Sequence, residues 1–260
     1  MNRMPKRILM SVVVAALSLL SGCLQMEQSV TIAADGSGTQ KITLDLTEQV
    51  LGSVQRLAGV AEGEQRPVDP RAAFREDHVR RELAAAGMAM TAHSSSVVRG
   101  VQRLSIEARF EDVAALAKSP LAGGRAEWFF VRGTTKDRVR VVCYPQGRAA
   151  HVAAKARADE MERDGIDETE QLYFEQRRAQ LRSLDVAFAV TLPGTVHAAS
   201  ANWKLDGERT LRARVTGKDV QSPRDLVLLL APRFEAEFDA SGTTWKVLDA
   251  EPELPRVAVR

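Results

Sequence analysis

Alternation of apolar and polar residues predicts most of the strands in this chain. Residues 29–34 and 41–46 flank a glycine-rich turn at 35–38, and every other side chain of the second run is apolar. Such a pattern predicts a β-hairpin with one buried side. A second hairpin is predicted over 88–98 and 101–110, where apolar positions alternate most regularly with charged ones. Both hairpins are expected to join one antiparallel sheet.

Further strands and helices follow from the same periodicities. Strand pairs are predicted at 127–131 with 138–144, at 201–205 with 210–215 and at 234–238 with 244–248, beside a strand at 184–192. Helices are predicted at 47–58, 70–86, 111–118 and 223–230 from apolar stripes, N-caps and prolines. Hairpins with helices between them predict an α+β fold: a curved antiparallel β-sheet of hairpins with helices packed on one face.

Residues 147–182 differ from the rest of the chain in composition. They are rich in Ala, Arg and Glu and nearly free of β-branched residues, which predicts a long helical region interrupted at Gly165. Asp167 and Glu170 resemble a capping box and predict a restart there. Because the apolar stripe is thin, we expect an inserted helical arm that covers a surface or projects into solvent. We expect residues 23–146 and 183–250, on either side of the arm, to form one domain. Residues 251–260 are expected to form an irregular tail.

The first 22 residues have the three parts of an export signal. Arg3, Lys6 and Arg7 precede an apolar run at 8–20. This run is too short to cross a bilayer core, which needs ~20 apolar residues in a helix. It ends in Leu-Ser-Gly-Cys at 20–23, which is typical of a lipobox. The alternative is an ordinary signal peptide that contains a cysteine.

The lipobox predicts cleavage between Gly22 and Cys23 and lipidation of the Cys23 thiol. Small residues before the cysteine let a peptidase hold the extended chain, and the thiol accepts the diacylglycerol. A lipoprotein usually carries three acyl chains, enough for stable anchoring. We therefore expect a lipid-anchored protein of the bacterial cell envelope. In Gram-negative cells an Asp directly after the lipidated cysteine favours retention in the inner membrane. This chain has Leu24 there, so we expect the protein in the outer membrane, facing the periplasm.

Composition argues against nucleic acid as a partner and against a disulfide. The chain has 36 Lys and Arg and 34 Asp and Glu, but three of the cations lie in the predicted signal. The remaining chain has one more acid than base and offers no basic excess to a polyanion. With Cys23 acylated, Cys143 is the remaining thiol. It shares an apolar strand face with Val139 and Val141, which predicts a buried thiol.

No combination of residues predicts an enzyme, a cofactor or a metal site. The chain lacks a Gly-x-Ser-x-Gly elbow and a phosphate-binding glycine loop. His78 and Glu82 have the spacing of two ligands on one helix face, but a solvated surface is the preferred interpretation. His93 beside Ser95 is interpreted as a polar strand near a turn. Residues 160–171 resemble a calcium loop, yet their twelfth position is Gln where a bidentate Glu is needed.

The order of several short motifs resembles LppM-type bacterial lipoproteins. The motifs are the start Cys23-Leu24, the hairpin from Thr31 to Gly38, the step Phe110-Glu111-Asp112, and Leu192-Pro193-Gly194-Thr195-Val196 with Asn202 after it. The resemblance covers most of the chain after the signal except the helical arm, and the C-terminal transmembrane helix of many such proteins has no counterpart in this sequence. It implies an α+β domain at the envelope, without established enzyme chemistry, and binding of a lipid or another apolar ligand is a role that suits such a fold.

Three functional hypotheses follow. The first is a non-enzymatic, membrane-anchored lipoprotein that holds a lipid or apolar ligand in an aliphatic pocket. Its candidate ligand-facing residues are Leu104, Ile106, Phe188 and Val190, which fit a packed core equally well. The second is an interaction protein that docks another envelope protein through the helical arm. The third is an enzyme such as a hydrolase, for which the sequence offers no set of catalytic residues.

Overall fold

Two β-sheets and four α-helices form the part of the chain that the structure describes. The structure is a computed structural model and describes residues 24–48, 51, 71, 74–122 and 125–252. The predicted signal and Cys23 lie outside these residues, as do most of the predicted helix at 47–58 and the tail beyond Pro252. The predicted α+β class is confirmed, because the larger sheet is open and mainly antiparallel, with helices beside it.

Eleven strands are arranged in two sheets in the described residues. The strands are β1 (Leu24–Ile32), β2 (Gly38–Thr47), β3 (Met88–Val98), β4 (Val101–Phe110), β5 (Glu127–Arg132), β6 (Arg138–Tyr144), β7 (Asp185–Thr191), β8 (Val196–Ala199), β9 (Lys204–Asp206), β10 (Thr210–Thr216) and β11 (Phe234–Asp239). The larger sheet has the order β3-β4-β2-β1-β7-β10-β9, and the smaller one has the order β5-β6-β11-β8. Apolar side chains of both sheets belong to one hydrophobic core.

Most strand pairs form where alternation predicts them. The β1–β2 and β3–β4 hairpins are antiparallel and lie within a few residues of the predicted bounds. Two features go beyond the predicted sheet of hairpins. The smaller sheet is separate from the larger one, and β1 pairs with β7 in parallel. A parallel pair joins distant parts of the chain, so no local turn pattern can predict it.

The predicted hairpin of 234–238 with 244–248 is wrong. β11 pairs with β6 on one side and with β8 on the other, so neither of its edges is left for a further strand. Residues 244–248 instead make a single parallel bridge, from Leu248 to Val131. β8 itself was not predicted, because it is only four residues long and mostly exposed.

The four α-helices agree with the sequence in kind, and one of them begins later than predicted. They are α1 (Glu76–Ala85), α2 (Arg148–Asp164), α3 (Glu168–Leu181) and α4 (Pro223–Leu230). α1 begins six residues later than the predicted start at 70, because the Arg75 backbone is extended, with a ψ of 141°. Gly87 ends it with a φ of +80°, a conformation that glycine adopts without strain. The predicted helix at 111–118 is a 3₁₀-helix, Val113–Lys118.

The helical arm forms two helices, as predicted, but it does not stand clear of the core. α2 and α3 both contact α4, and Phe174 and Leu181 of α3 are fully buried in the main core. α3 therefore covers the core with one narrow face, which is the first of the two predicted alternatives, and most of its other described side chains are exposed. Phe174 and Leu181 are seven residues apart and lie on one face of the helix, so even a narrow stripe buries a large apolar area.

A buried carboxylate ties the smaller sheet to the turn before β6. Glu237 of β11 accepts hydrogen bonds from the Thr134 hydroxyl at 2.6 Å and the Thr134 backbone N–H at 3.3 Å. It also pairs with the Arg138 guanidinium at 3.3 Å. The Thr134 hydroxyl, with a further contribution from Arg138, lowers the pKa of the Glu237 carboxyl below its usual value.

Replacing Glu237 with alanine should lower the free energy of unfolding by about 1–3 kcal/mol, because Thr134 and Arg138 lose a buried acceptor. The folded-state pKa of the carboxyl is lowered, so this contribution is present above about pH 4.3 and is lost as the pH falls through the folded value. Urea unfolding of the native protein and of E237A at pH 7 and pH 3 measures both effects. The exposed Glu208→Ala serves as control, and an equal loss at both pH values would contradict this account.

Candidate functional site

The four candidate ligand-facing residues all lie on the core face of the larger sheet. Leu104, Ile106 and Val190 are at most 2% exposed and are packed in the main hydrophobic core. Phe188 of β7 differs from them because its ring is only half-buried. The structure does not bring the four into one group, since β1 and β2 separate β7 from β4. Phe188 alone among them reaches the accessible surface of the core face.

Burial of the core face is interrupted around Phe188. The register places Met26, Val186 and Val215 in one row across β1, β7 and β10, and Phe188 follows in the next row. All four side chains are only partly buried. We call this set the seam. In the row of Phe188 its two neighbours Gln28 and Ala213 are buried, and the following row contains the buried Val30, Val190 and Leu211.

Aromatic rings line one side of the seam. The ring centroid of Phe188 lies 5.5 Å from Phe234, 5.7 Å from Trp203 and 6.2 Å from Trp128. The indole N–H groups of Trp128 and Trp203 are buried, and neither has a hydrogen-bond partner among the described residues. A buried donor without an acceptor costs about 1–3 kcal/mol. Trp128 and Trp203 therefore place two buried donors beside Phe188, without an acceptor in the described part of the chain.

The seam lies close in sequence to the predicted lipidation site. β1 begins at Leu24, which directly follows Cys23, and Met26 is only three residues beyond that cysteine. Three residues span at most roughly 11 Å even when fully extended. An acyl chain on Cys23 would thus begin within this distance of the Met26 backbone. Because β1 starts at the next residue, no linker would separate the anchor from the sheet.

The opposite face of the larger sheet carries a concavity with a volume of about 370 Å³, lined by charged side chains and by small apolar ones. Its floor is formed by Ala187 and Ala189 of β7, whose small side chains leave space between the neighbouring strands. Glu27 of β1 stands on one side, and Arg212 and Arg214 of β10 stand on the other. We call this concavity the outer trough.

Ion pairs set the charge along the walls of the outer trough. Arg214 donates two hydrogen bonds to Asp185, at 2.8 and 2.5 Å, which lower the pKa of the Asp185 carboxyl. Arg212 pairs with Asp206 at 2.5 Å and lies 4.0 Å from Glu27. Sequence reasoning missed this site, because alternating Arg and Ala on a strand has the pattern of an ordinary solvated face. The feature of the sequence that could have indicated the outer trough is the pair Ala187 and Ala189, two small residues on the polar face of β7.

Of the residues that the sequence offered for catalysis or metal binding, His93 and Ser95 have other partners, whereas His78 Nε2 is buried without a hydrogen-bond partner among the described residues. His93 Nε2 lies 2.8 Å from the Phe74 carbonyl oxygen, and the Ser95 hydroxyl accepts a hydrogen bond from Gln102. Residues 160–171 span the end of α2 and the start of α3. Within the described ranges no group of three or more His, Cys, Asp or Glu has the arrangement of a metal site.

The prediction of a buried Cys143 is confirmed. The thiol is free and packed in the core, and burial raises its pKa well above the usual value. A thiol with a raised pKa and no access to solvent is unreactive. As for membrane insertion, no helix within the described part of the chain has the length and apolar character to cross a bilayer.

Among solved structures, a bacterial lipoprotein domain is similar to this chain. The folded domain of LppM from Mycobacterium tuberculosis, whose structure was determined by NMR, is similar with a TM-score of 0.39 and 11% sequence identity. The similarity covers 84% of this chain and 91% of that domain. LppM is also the type of protein that the sequence motifs resemble, but a structural similarity this weak supports no functional argument. No protein-family profile and no curated protein sequence matches the chain.

Proposed function

We propose that this chain is a lipid-anchored, non-enzymatic protein of the bacterial envelope that holds a lipid or another apolar ligand in the seam. The observation that carries the proposal is the interruption of core burial at Met26, Val186, Phe188 and Val215. Apolar surface left in contact with water forgoes about 25 cal/mol per Å² of stabilisation, which a covering acyl chain would recover. The seam also begins three residues after Cys23, so the anchor would keep it beside the membrane.

The aromatic side of the seam favours a ligand that carries oxygen acceptors beside an acyl chain. Trp128 and Trp203 border Phe188, and their indole N–H groups have no acceptor among the described residues. The ester carbonyl groups of a glycerolipid have this chemistry. Leu104, Ile106 and Val190 support the seam from within the packed core in this account, and Phe188 contacts the ligand.

Mass spectrometry after organic extraction of the full-length protein, matured in a bacterial envelope and purified in detergent, tests the proposal. We expect an extractable lipid in addition to acyl chains that stay covalently attached. Val215→Gln should reduce the extractable lipid about tenfold, because a polar amide raises the cost of placing an acyl chain in the seam by about 1.4 kcal/mol or more.

Val97→Gln is the matched control, because Val97 is exposed on β3, far from β10 in the sheet order. It should retain the native amount of extractable lipid. Cys23→Ser should lose the covalent chains and keep the extractable lipid. A native protein without extractable lipid, or V215Q that carries as much as the native protein, would exclude ligand binding in the seam. Thermal unfolding of each variant verifies the fold.

A second candidate function, the docking of another envelope protein through the helical arm, is favoured by apolar exposure there. Val152, Ile166, Leu172 and Tyr173 all lie in this segment and are 39–60% exposed. Exposed apolar residues that cluster in one segment are typical of an interaction surface. Deletion of the arm cannot test this function, because Phe174 and Leu181 are part of the main core.

Leu172→Glu provides a sharper test, since Leu172 is the most exposed of these residues and its substitution should leave the core intact. If the arm docks a partner, crosslinking in the native envelope should capture that partner with the native chain and fail with L172E. Leu205→Glu, at a similarly exposed leucine of β9, should behave like the native chain. Equal capture by L172E and the native chain would rule out this surface.

A further inference from the structure

We propose that the outer trough binds a small group that carries both a phosphate and an ammonium ion, the chemistry of phosphoethanolamine. The side chains of Glu27, Ala187 and Arg214 lie on the face of the larger sheet opposite the seam, because they alternate along their strands with Met26, Phe188 and Val215. The inference therefore concerns a second site and does not rest on the function proposed for the seam.

Space for such a group comes from the two alanines of the floor. The register aligns Glu27, Ala187 and Arg214 in one row across β1, β7 and β10. Neighbouring strands are about 4.8 Å apart, so the backbones that carry Glu27 and Arg214 are separated by about 10 Å. Ala187 between them fills little of this gap, and the resulting volume of about 370 Å³ has room for a small polar molecule.

The phosphate would lie at the β10 wall. Arg212 and Arg214 are two residues apart and point to the same face of the sheet, so two guanidinium groups flank the same space. Guanidinium forks recognise phosphate oxygens in pairs, and a phosphate has enough oxygens to serve both. Their ion pairs with Asp206 and Asp185 involve arginine side chains that are more than half exposed. Such pairs contribute only about 0–1 kcal/mol, so a phosphate can replace or share them at little cost.

The ammonium ion would lie at the β1 wall. Glu27 is 4.0 Å from Arg212, a distance longer than a hydrogen bond, so its carboxylate retains acceptor capacity. Asp45 and Asp185 also line the trough, but Asp45 pairs with Arg103 at 3.1 Å and Asp185 pairs with Arg214, so Glu27 carries the excess negative charge at this wall. This balance disfavours a ligand that is only anionic. A zwitterion places its cation near Glu27 and its anion near the two arginines, and so complements both walls.

Isothermal titration calorimetry of the full-length mature protein in non-ionic detergent at low salt tests this site. The probes are O-phosphoethanolamine, inorganic phosphate and ethanolamine. We expect saturable binding of phosphoethanolamine, at least about tenfold tighter than that of either probe alone. Glu27→Gln should weaken phosphoethanolamine binding and leave phosphate binding unchanged or stronger, because it removes a negative charge from the wall.

Ala187→Leu is the blocking variant, because a larger side chain at this half-buried, outward-facing position fills the floor without altering any charge. It should weaken phosphoethanolamine binding at least about tenfold. The matched control is Ser105→Leu on β4, which adds a leucine to the same face of the sheet outside the trough. S105L should bind like the native protein, and thermal unfolding establishes that both variants are folded.

A phosphoethanolamine group can come from a phospholipid head group, which is a phosphodiester, or from free O-phosphoethanolamine, which is a phosphomonoester. Glycerophosphoethanolamine, a diester, distinguishes these two sources. Binding as tight as that of the monoester would identify a phospholipid head group as the source, whereas preference for the monoester would identify a free compound. Either result supports the proposal. Three results would overturn it: phosphate that binds as tightly as phosphoethanolamine, A187L that binds like the native protein, or no saturation by phosphoethanolamine up to about 10 mM.

Discussion

The parallel pairing of β1 with β7 is the constraint on which the rest of the structure depends. It joins β3-β4-β2-β1 to β7-β10-β9, so these strands form one seven-stranded sheet and not two pieces. The pairing also fixes which side chains are neighbours on each face. Met26 lies beside Val186 on the core side, and Glu27 lies beside Ala187 on the outer side. The seam and the outer trough are thus opposite faces of the same strand pair.

The two faces differ in the interaction that a ligand would make with them. On the core face the smaller sheet and the helices bury most of the apolar side chains in one core, and the half-buried seam is the part they leave accessible. Binding there would be driven by removal of apolar surface from water. The outer trough has exposed ion pairs above a floor of alanine, so binding there would depend on charge and on salt concentration.

The sequence predicted those elements that bury one regular face. β2 and β4 follow their alternating patterns closely, because each strand has a buried side chain at every second position. Local patterns did not predict the exposed strand β8, or the start of α1, which depends on the extended backbone at Arg75. The β1–β7 pairing was also missed, since it results from tertiary packing and not from a turn.

The candidate site was predictable only in part for the same reason. Alternation placed Phe188 and Val190 on the apolar face of one strand, but it cannot separate a half-buried ring from a packed side chain. The packing around Phe188 comes from distant parts of the chain, namely Trp128, Trp203 and Phe234. The sequence did not identify Ala187 and Arg214 as site residues. Their role in the outer trough depends on Glu27, which lies on β1, the strand that pairs with β7.

The central claim, that lipid acyl chains reach the seam, can be measured through tryptophan fluorescence. The chain has three tryptophans; Trp128 and Trp203 border Phe188, whereas Trp245 packs on Phe130 with ring centroids 5.0 Å apart. The full-length protein is placed in vesicles whose phospholipids carry bromine on their acyl chains, which quenches tryptophan on contact. The account predicts strong quenching in Trp245→Phe, which retains Trp128 and Trp203, and little quenching in a variant that retains only Trp245. Equal quenching of the two variants, or none in either, would contradict it.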